Sequence, residues 1–560
     1  MLKRLGCSGS AQDRRRLLEA AVKNYENDPF DVIVGDWMSE ANMTFNSAKH
    51  YKGSGTAYES TFITSLEPVL PDITRHGIKV ATNAGSADTQ GLYSALKSVI
   101  QKKGLSLKVG WIEGDQVLET IKEVQAKADQ EFYHLCTGQP LSEWTHKAIN
   151  RYCRVQTVAD ASPVIGTAFW WHGWGRKDYD QLANSLIAGH LIECLSYVCG
   201  GSFTGFKDLE HRGCENIGLP VAEIEKSGRV TVTKTRGSNG IVTVETCKSQ
   251  LLYEIQGPRY YNSDVGADRV VVKGIRGGPP PPTTKVGITV KEAYRAEILF
   301  WLVGLDIEAK ALMLETQIRH EPGARVNRLR VLEFTLIGVA AEDPSDQNSC
   351  TVGSRIVAQA VEKADLASVN FLEPILERTM ELYPGGSFHM DVRTALPRPI
   401  HEYFVTKLAQ SLIHHRAHLS DCRVIEISPP HVVEGEPATA EPSLEPVNLQ
   451  LFGETVRGPL GWPIGFYVRN ADEYGWLRSV LTLDKIKELL AKEKLANIVH
   501  FVQERFELPN MSAVHFLLYD HLDRGVSTTR TLDFLGKNVG EYLRAKHVDI
   551  PVCFSERGRI

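Results

Sequence analysis

The first third of the chain alternates short runs of consecutive apolar residues with longer stretches whose apolar positions recur every three to four residues. Asp31-Val32-Ile33-Val34-Gly35, Ile78 to Asn83 and Leu107 to Ile112 read as buried strands, because a strand covered on both faces shows no polar alternation. Arg14 to Tyr25 and Gly91 to Lys102 carry apolar residues at i, i+3 and i+4 and read as helices. This alternation with short connections predicts an α/β fold: a mostly parallel sheet with helices on both faces. Ligands of such sheets bind beyond the carboxyl ends of the strands. The loops at those ends are Gly35-Asp36-Trp37, Asn83-Ala84-Gly85 and Glu113-Gly114-Asp115. Asp36, Asn83, Gly85, Glu113 and Asp115 are therefore candidates for lining a crevice.

The pattern then changes. Tyr179 to Cys199 reads as one long helix, stopped by Gly200-Gly201, and Arg229 to Lys234 as a strand. Pro279 to Pro282 fits neither a helix nor a central strand, so it reads as a stiff linker or a rigid wall. Residues 286–428 read as α+β, with a strand at Glu297–Val303 and helices at Val357–Thr379 and Glu402–His415. Residues 429–446 are rich in Pro, Glu and Ala and read as a flexible linker. The remainder, 447–560, reads as a small α+β domain. Its strands are at Gly465–Arg469 and Ala513–Tyr519, its helices at Leu483–Lys494 and Asn538–Lys546. The expected division is 1–285, 286–428, the linker, and 447–560.

Composition removes several classes. Of 560 residues, 63 are Lys or Arg and 68 are Asp or Glu, a formal charge of −5, which argues against a globally basic nucleic-acid binder. No apolar run approaches the roughly 20 residues that span a bilayer, and Met1 to Gly6 lacks a secretory signal's apolar stretch. The expectation is a cytoplasmic protein without a membrane or nucleic-acid partner. Ten cysteines form no C-x-x-C pair, so they read as reduced thiols.

The chemistry-bearing residues each admit two readings. Gly6 and Gly9 precede a helix starting near Asp13, where backbone amides cradle a phosphate or make a plain turn. Neither the dinucleotide nor the P-loop glycine fingerprint is present, so no nicotinamide cofactor is assigned, and no serine nucleophile elbow occurs. Asp160 leads into Trp170, Trp171, His172 and Trp174. An apolar pocket of that kind shifts a carboxylate or imidazole towards acid–base use, and a core cluster with a satisfied histidine is the alternative. His190 and Glu193, three apart on a helix, share a face. They form a general-base pair or half a metal site, and with no third ligand at an obvious spacing no metal is assigned. Glu245, Gln250, the Tyr253-Glu254 pair and Tyr260 are polar groups within an apolar run, which points to a substrate-facing surface.

Several ordered motifs fit one known pattern: Ile33 to Trp37, Thr82 to Gly85, Trp111 to Asp115, Val158 to Pro163, Ala188 to Cys194, Gln256-Gly257-Pro258, and Pro279 to Gly287. Together they resemble the acyclic terpene utilisation AtuA family, and Ala513 to Ser527 resembles its ferredoxin-like carboxy-terminal domain. Fungal-type members are the most alike. The resemblance implies an enzyme of branched or isoprenoid acyl-CoA metabolism, or of fungal secondary metabolism, adding or removing water as a hydratase or lyase. The substrate would be a small-molecule acyl thioester, with coenzyme A as part of it. Within that reading Asp160, His190, Asp36 and Glu113 carry the catalysis. Asn83, Gly85, Asp115, His172, Glu245 and Tyr260 contact substrate, and Gly6 and Gly9 contact phosphate. The alternative is a non-catalytic binding or scaffold subunit of an acyl-CoA carboxylase-like partner, or a diverged inactive member. The oligomeric state is left open, homo-oligomers included. The chain departs from the family pattern at residues 150–158, where a β–α unit is missing, at 264–268, and at Arg457–Trp462, where an acid–base pair is absent.

Overall fold

Parallel pairing is confined to the amino-terminal run of the chain. β1 (Leu2–Ser8), β2 (Val32–Asp36) and β3 (Lys79–Thr82) lie in parallel, with Ile33 opposite both Leu5 and Val80. Parallel neighbours need crossovers. α1 (Arg14–Lys23) supplies the first, and α2 (Glu40–Lys52), α3 (Ser60–Leu66) and α4 (Leu70–His76) supply the second. Val32, Ile33 and Val34 are all buried, as a strand covered on both faces requires. The computed structural model describes residues 2–555 apart from 9–13, 54, 129–130, 136–137, 145–151, 158–160, 210, 255–261, 267–268, 274, 276, 278, 321–326, 430–451, 456–461, 491–501, 519–522, 524–526 and 534–536. The 429–446 linker, apart from its first residue, and the altered 457–462 loop, apart from Trp462, lie outside the described residues.

After α5 (Thr89–Lys102), the strand β4 (Trp111–Glu113) does not join this sheet. It pairs antiparallel with His415–His418, setting Glu113 opposite Arg416. α6 (Leu118–Ala128), α7 (Leu141–Trp144), β5 (Tyr152–Thr157), α8 (Ser162–His172) and α9 (Tyr179–Glu193) follow. The chain then completes the first sheet with β6 (Pro220–Ile224) and β7 (Val230–Lys234), α10 (Val244–Glu254), and β8 (Asn262–Gly266) and β9 (Arg269–Lys273). The order is β3-β2-β1-β6-β7-β9-β8, and every pair beyond β1 is antiparallel. The expected mostly parallel sheet is thus corrected to a mixed one. The reason is local: β6 and β7 are joined by a tight turn at Glu225–Gly228, with Gly228 at φ +89°, and so short a link permits only antiparallel pairing.

Two compact units result, one of Met1–Thr289, Tyr403–Val526 and Asp533–Ile560, the other of Val290–Glu402 and Ser527–Leu532. The second is built on β10 (Thr283–Val303), α11 (Ile307–His320), β11 (Leu329–Ile337), β12 (Thr351–Ala360), α12 (Leu372–Glu377) and β13 (Ser387–Phe388). β14 (Arg398–Ala409), like β10, runs through the boundary of the two units and pairs with β10. Two expected helices are strands in part: of Val357–Thr379, Val357 to Ala360 ends β12 while Leu372–Glu377 is helical, and of Glu402–His415, Glu402 to Ala409 belongs to β14. Both are buried on both faces, so the two-residue alternation that marks a strand is missing. In this unit the returning segment is pinned to the sheet by Arg295 donating to Thr529 O at 2.6 Å and Gln359 to Thr528 O at 2.8 Å.

β15 (His415–His418) and β16 (Val424–Ile427) complete the small sheet of β4. The carboxy-terminal region forms a four-stranded antiparallel sheet, β17-β18-β20-β19, from Phe452–Thr455, Trp462–Tyr467, Ala513–Leu518 and Val502–Leu508. Its helices are α13 (Tyr474–Val480), α14 (Leu483–Leu490), α15 (Asn538–Arg544) and α16 (Val552–Ser555). Within the first unit α10 lies against this sheet. Leu252 fits where Gly465 has no side chain, and Ser249 Oγ is 3.1 Å from Tyr467 Oη.

The same contact buries His515, whose Nε2 lies 3.3 Å from Leu252 O. Burial lowers its pKa from 6.5 to about 4, so the ring is neutral in the fold, while in the unfolded chain it protonates near 6.5. A depressed folded pKa gives stability that is present above the unfolded value and lost as pH falls. Between pH 6.5 and 4 this single group should cost about 3 kcal/mol. Urea midpoints of the wild type and His515→Asn across that interval check it. The variant's stability should fall less with pH by that amount, whatever its starting level.

Candidate active site

α9 and α10 end at the same place, and each ends in a carboxylate. The second half of α9, Ser185 to Glu193, is mostly buried, and its close crossing of α8 is possible because Gly189 faces Ala161. His190 Nδ1 lies 3.1 Å from Glu193 Oε1, with the Glu193 side chain only 5% exposed. In the tautomer that donates to Glu193, the other ring nitrogen is the acceptor. Glu254, the last residue of α10, completes the group: one ligand-type atom from each of His190, Glu193 and Glu254 lies within 4.8 Å of the others.

Two neighbours hold Glu254 in place. Gln250, one turn earlier, donates from Nε2 to Glu254 Oε1 at 3.1 Å and to His190 O at 2.9 Å. Cys194 donates its thiol to the same Oε1 at 3.2 Å. Burial, and then the Glu193 carboxylate, push the Glu254 carboxyl well above the usual carboxylate range. Burial, reinforced by Glu254 and Glu193, pushes the Cys194 thiol up as well, so it serves here as a hydrogen-bond donor. Asp36, at the end of β2, acts on Cys194 with the same sign, which ties the strand end electrostatically to this helix-end group.

Beside the group is a cleft of about 440 Å³, with Gln250 and Tyr253 in its wall. Lys537, just ahead of α15, lines it too. The Lys537 ammonium sits 4.1 Å from the Tyr197 ring centre and 5.3 Å from that of Tyr253, a cation–π seat. Burial lowers its pKa to about 8. The carboxylate of Asp533 accepts from the backbone N–H groups of Lys537, Asn538 and Val539, fixing the start of α15 and with it the lysine's backbone.

The residues picked from sequence scatter more than expected. His190 is at the centre of the group. Asp36 and Asn83 meet at the ends of β2 and β3, with Asn83 Nδ2 donating to Asp36 Oδ1 and Asn83 Oδ1 accepting from Trp37 N, each at 2.6 Å. This pair latches two strand ends together. Gly85 is in the turn after β3, where a Cβ would meet Thr89. Glu113 and Asp115 follow β4 out of the parallel strands. Glu113 pairs with Arg416 and His418, not with the other strand ends, so the three-loop crevice is corrected to two loops. His172 is a satisfied histidine: Nε2 lies 3.1 Å from Ile224 O, and the ring stacks on Trp174 at 5.0 Å. Trp170 and Trp171 are exposed, so no closed aromatic pocket forms around it. Glu245 opens α10, and at 1.5 Å of rise per residue it lies roughly 13 Å from Glu254. Gly6 is inside β1, opposite Val34, and not in a loop that could cradle phosphate. Asp160, Tyr260 and Gly9 lie outside the described residues.

Comparison with known families decides the lineage. The model of the acyclic terpene utilisation family protein AtuA matches residues 4–155 and 156–419. The chain belongs to the AtuA family. The AtuA ferredoxin-like domain matches residues 462–549, which hold three strands of the antiparallel sheet, α13 to α15, and Lys537. The two pieces of the longer AtuA match meet within β5. No curated protein and no solved structure gives a significant match. No helix among the described residues is long and apolar enough to cross a membrane.

Proposed function

We propose that this AtuA protein is an enzyme of branched or isoprenoid acyl-CoA metabolism that adds water to, or removes it from, a double bond conjugated to the thioester. The observation that carries the reading is the convergence of His190, Glu193 and Glu254 beside the cleft. Hydration needs one group to take a proton from water and another to return it to carbon, both within reach of one substrate. The helix-end group handles the water. Lys537, with its charge inside a largely apolar cleft, binds the thioester oxygen, where negative charge grows as water adds.

Lys537→Met keeps the side chain's length and apolar stem but removes the charge. It should lower kcat/KM by roughly tenfold to a hundredfold, mostly through kcat, the worth of one hydrogen bond to a charged group. The test uses the purified chain with a panel of saturated and unsaturated branched acyl-CoA thioesters, followed by intact mass. A gain or loss of one water supports the reading. Binding with no change of mass transfers the protein to the class of binding subunits, for which a biotin-carrying carboxylase partner is the candidate. A panel in which no thioester binds refutes the acyl-CoA assignment.

A further inference from the structure

We infer that His190, Glu193 and Glu254 form a binding centre for one first-row divalent cation, with Gln250 as an additional oxygen donor. The ligand-type atoms of the three residues lie within 4.8 Å of one another. Ligand atoms of a tetrahedral zinc ion are about 3.4 Å apart, so the widest separation in the trio needs to close by up to roughly 1.4 Å, within reach of side-chain rotation.

The electrostatics of the backbone ask for a cation at this point. Helix carboxyl ends carry about half a negative charge each, and α9 and α10 both end here. Each adds a carboxylate at its last residue, Glu193 and Glu254. Lys537, the ammonium of the adjoining cleft, is seated on the rings of Tyr197 and Tyr253. One cation between the two carboxylates would balance the helix ends and replace the hydrogen bonding that now holds the group together.

A second observation points the same way. Gln250 is 2% exposed, and its Oε1 has no hydrogen-bond partner among the described residues, although its Nε2 touches Glu254. A half-turn about the last side-chain bond would bring this oxygen beside Glu254 at the cost of the two bonds that Nε2 makes, to Glu254 Oε1 and to His190 O, so it requires the cation and a shift away from His190 O. The donor set would then be one imidazole nitrogen, two carboxylates and one amide oxygen, which suits Zn²⁺ or Mn²⁺. The inference rests on the reading of this group as a water-handling centre and adds how the water would be held, since a bound cation lowers the pKa of its water towards neutrality.

The test titrates the chelator-stripped full chain with ZnCl2 by calorimetry, with MnCl2 as the comparison. Wild type should bind one equivalent with micromolar or tighter affinity and melt at a higher temperature. His190→Ala and Glu254→Gln should each weaken binding by about a hundredfold, in line with removing a ligand whose supporting contacts alone are worth 10–100-fold. Cys422→Ser, at an exposed thiol, should bind as wild type does. Should either variant fail to fold by circular dichroism, His190→Gln takes its place. Wild type that takes up neither ion, or variants that all bind like wild type, would overturn the inference. Undiminished turnover by the metal-free chain would also sink it and leave the acyl-CoA reading standing. Tight zinc binding with no turnover of any thioester does the reverse.

Discussion

Glu254→Gln should lower turnover of the thioester substrate by roughly 10²- to 10⁴-fold, the usual worth of a positioned proton-transfer group. Glutamine keeps the size of the side chain, and its oxygen still accepts from Gln250 Nε2 and the Cys194 thiol. It cannot exchange a proton at the pH of the assay. The melting temperature of the metal-free protein should therefore stay close to wild type while kcat falls and KM changes little. The split matters because the same carboxyl could be a mere brace between α9 and α10. A brace would be read in the melting curve, a proton-transfer group in kcat. Steady-state kinetics and thermal melts on one preparation separate the two.

Gly189→Val should destabilise the first unit by about 3 kcal/mol or more and take activity with it. A Cβ at position 189 would stand 2.5 Å from Ala161 Cβ and 3.2 Å from Ala161 O, contacts that no side-chain rotation relieves. α9 would have to move off α8, and His190 is the next residue along it. Gly166, also helical, is the control: nothing lies within 4 Å of a Cβ there. Gly166→Ala should be neutral or stabilise by up to about 1 kcal/mol, since alanine is the better helix former. Urea midpoints of the two variants, measured together, distinguish a packing requirement at Gly189 from a general intolerance of change in these helices.

Local sequence carried the elements whose pattern is local. The apolar run Val32–Val34, the i, i+3 pairing of His190 with Glu193 and the small carboxy-terminal domain could all be read from the chain. Even the polar cluster of Gln250, Tyr253 and Glu254 stood out against its apolar neighbours. What failed depended on distant partners. Leu107 to Ile112 resembles one more strand of the parallel set, yet only Trp111–Glu113 is a strand, and it pairs with residues some 300 positions later. Val357–Ala360 and Glu402–Ala409 lost their strand signature because both faces are buried. The strand-end rule pointed to Asp36, Asn83 and Glu113, but Asp36 and Asn83 satisfy each other and Glu113 is claimed by Arg416 and His418. Lys537 gave no signal at all, because a lysine ahead of a helix is ordinary until tertiary packing sets it against two tyrosines and a cleft.

Isotope incorporation reports directly on whether the His190, Glu193 and Glu254 group hydrates a thioester. The purified chain is incubated with an α,β-unsaturated branched acyl-CoA in water enriched in oxygen-18, beside Glu254→Gln under the same conditions. The wild type should give a thioester heavier by one labelled water, and the variant almost none. Label appearing in a released free acid, with coenzyme A set free, would mean hydrolysis of the thioester. That outcome, or equal product from both proteins, would contradict a hydration centre built on His190, Glu193 and Glu254.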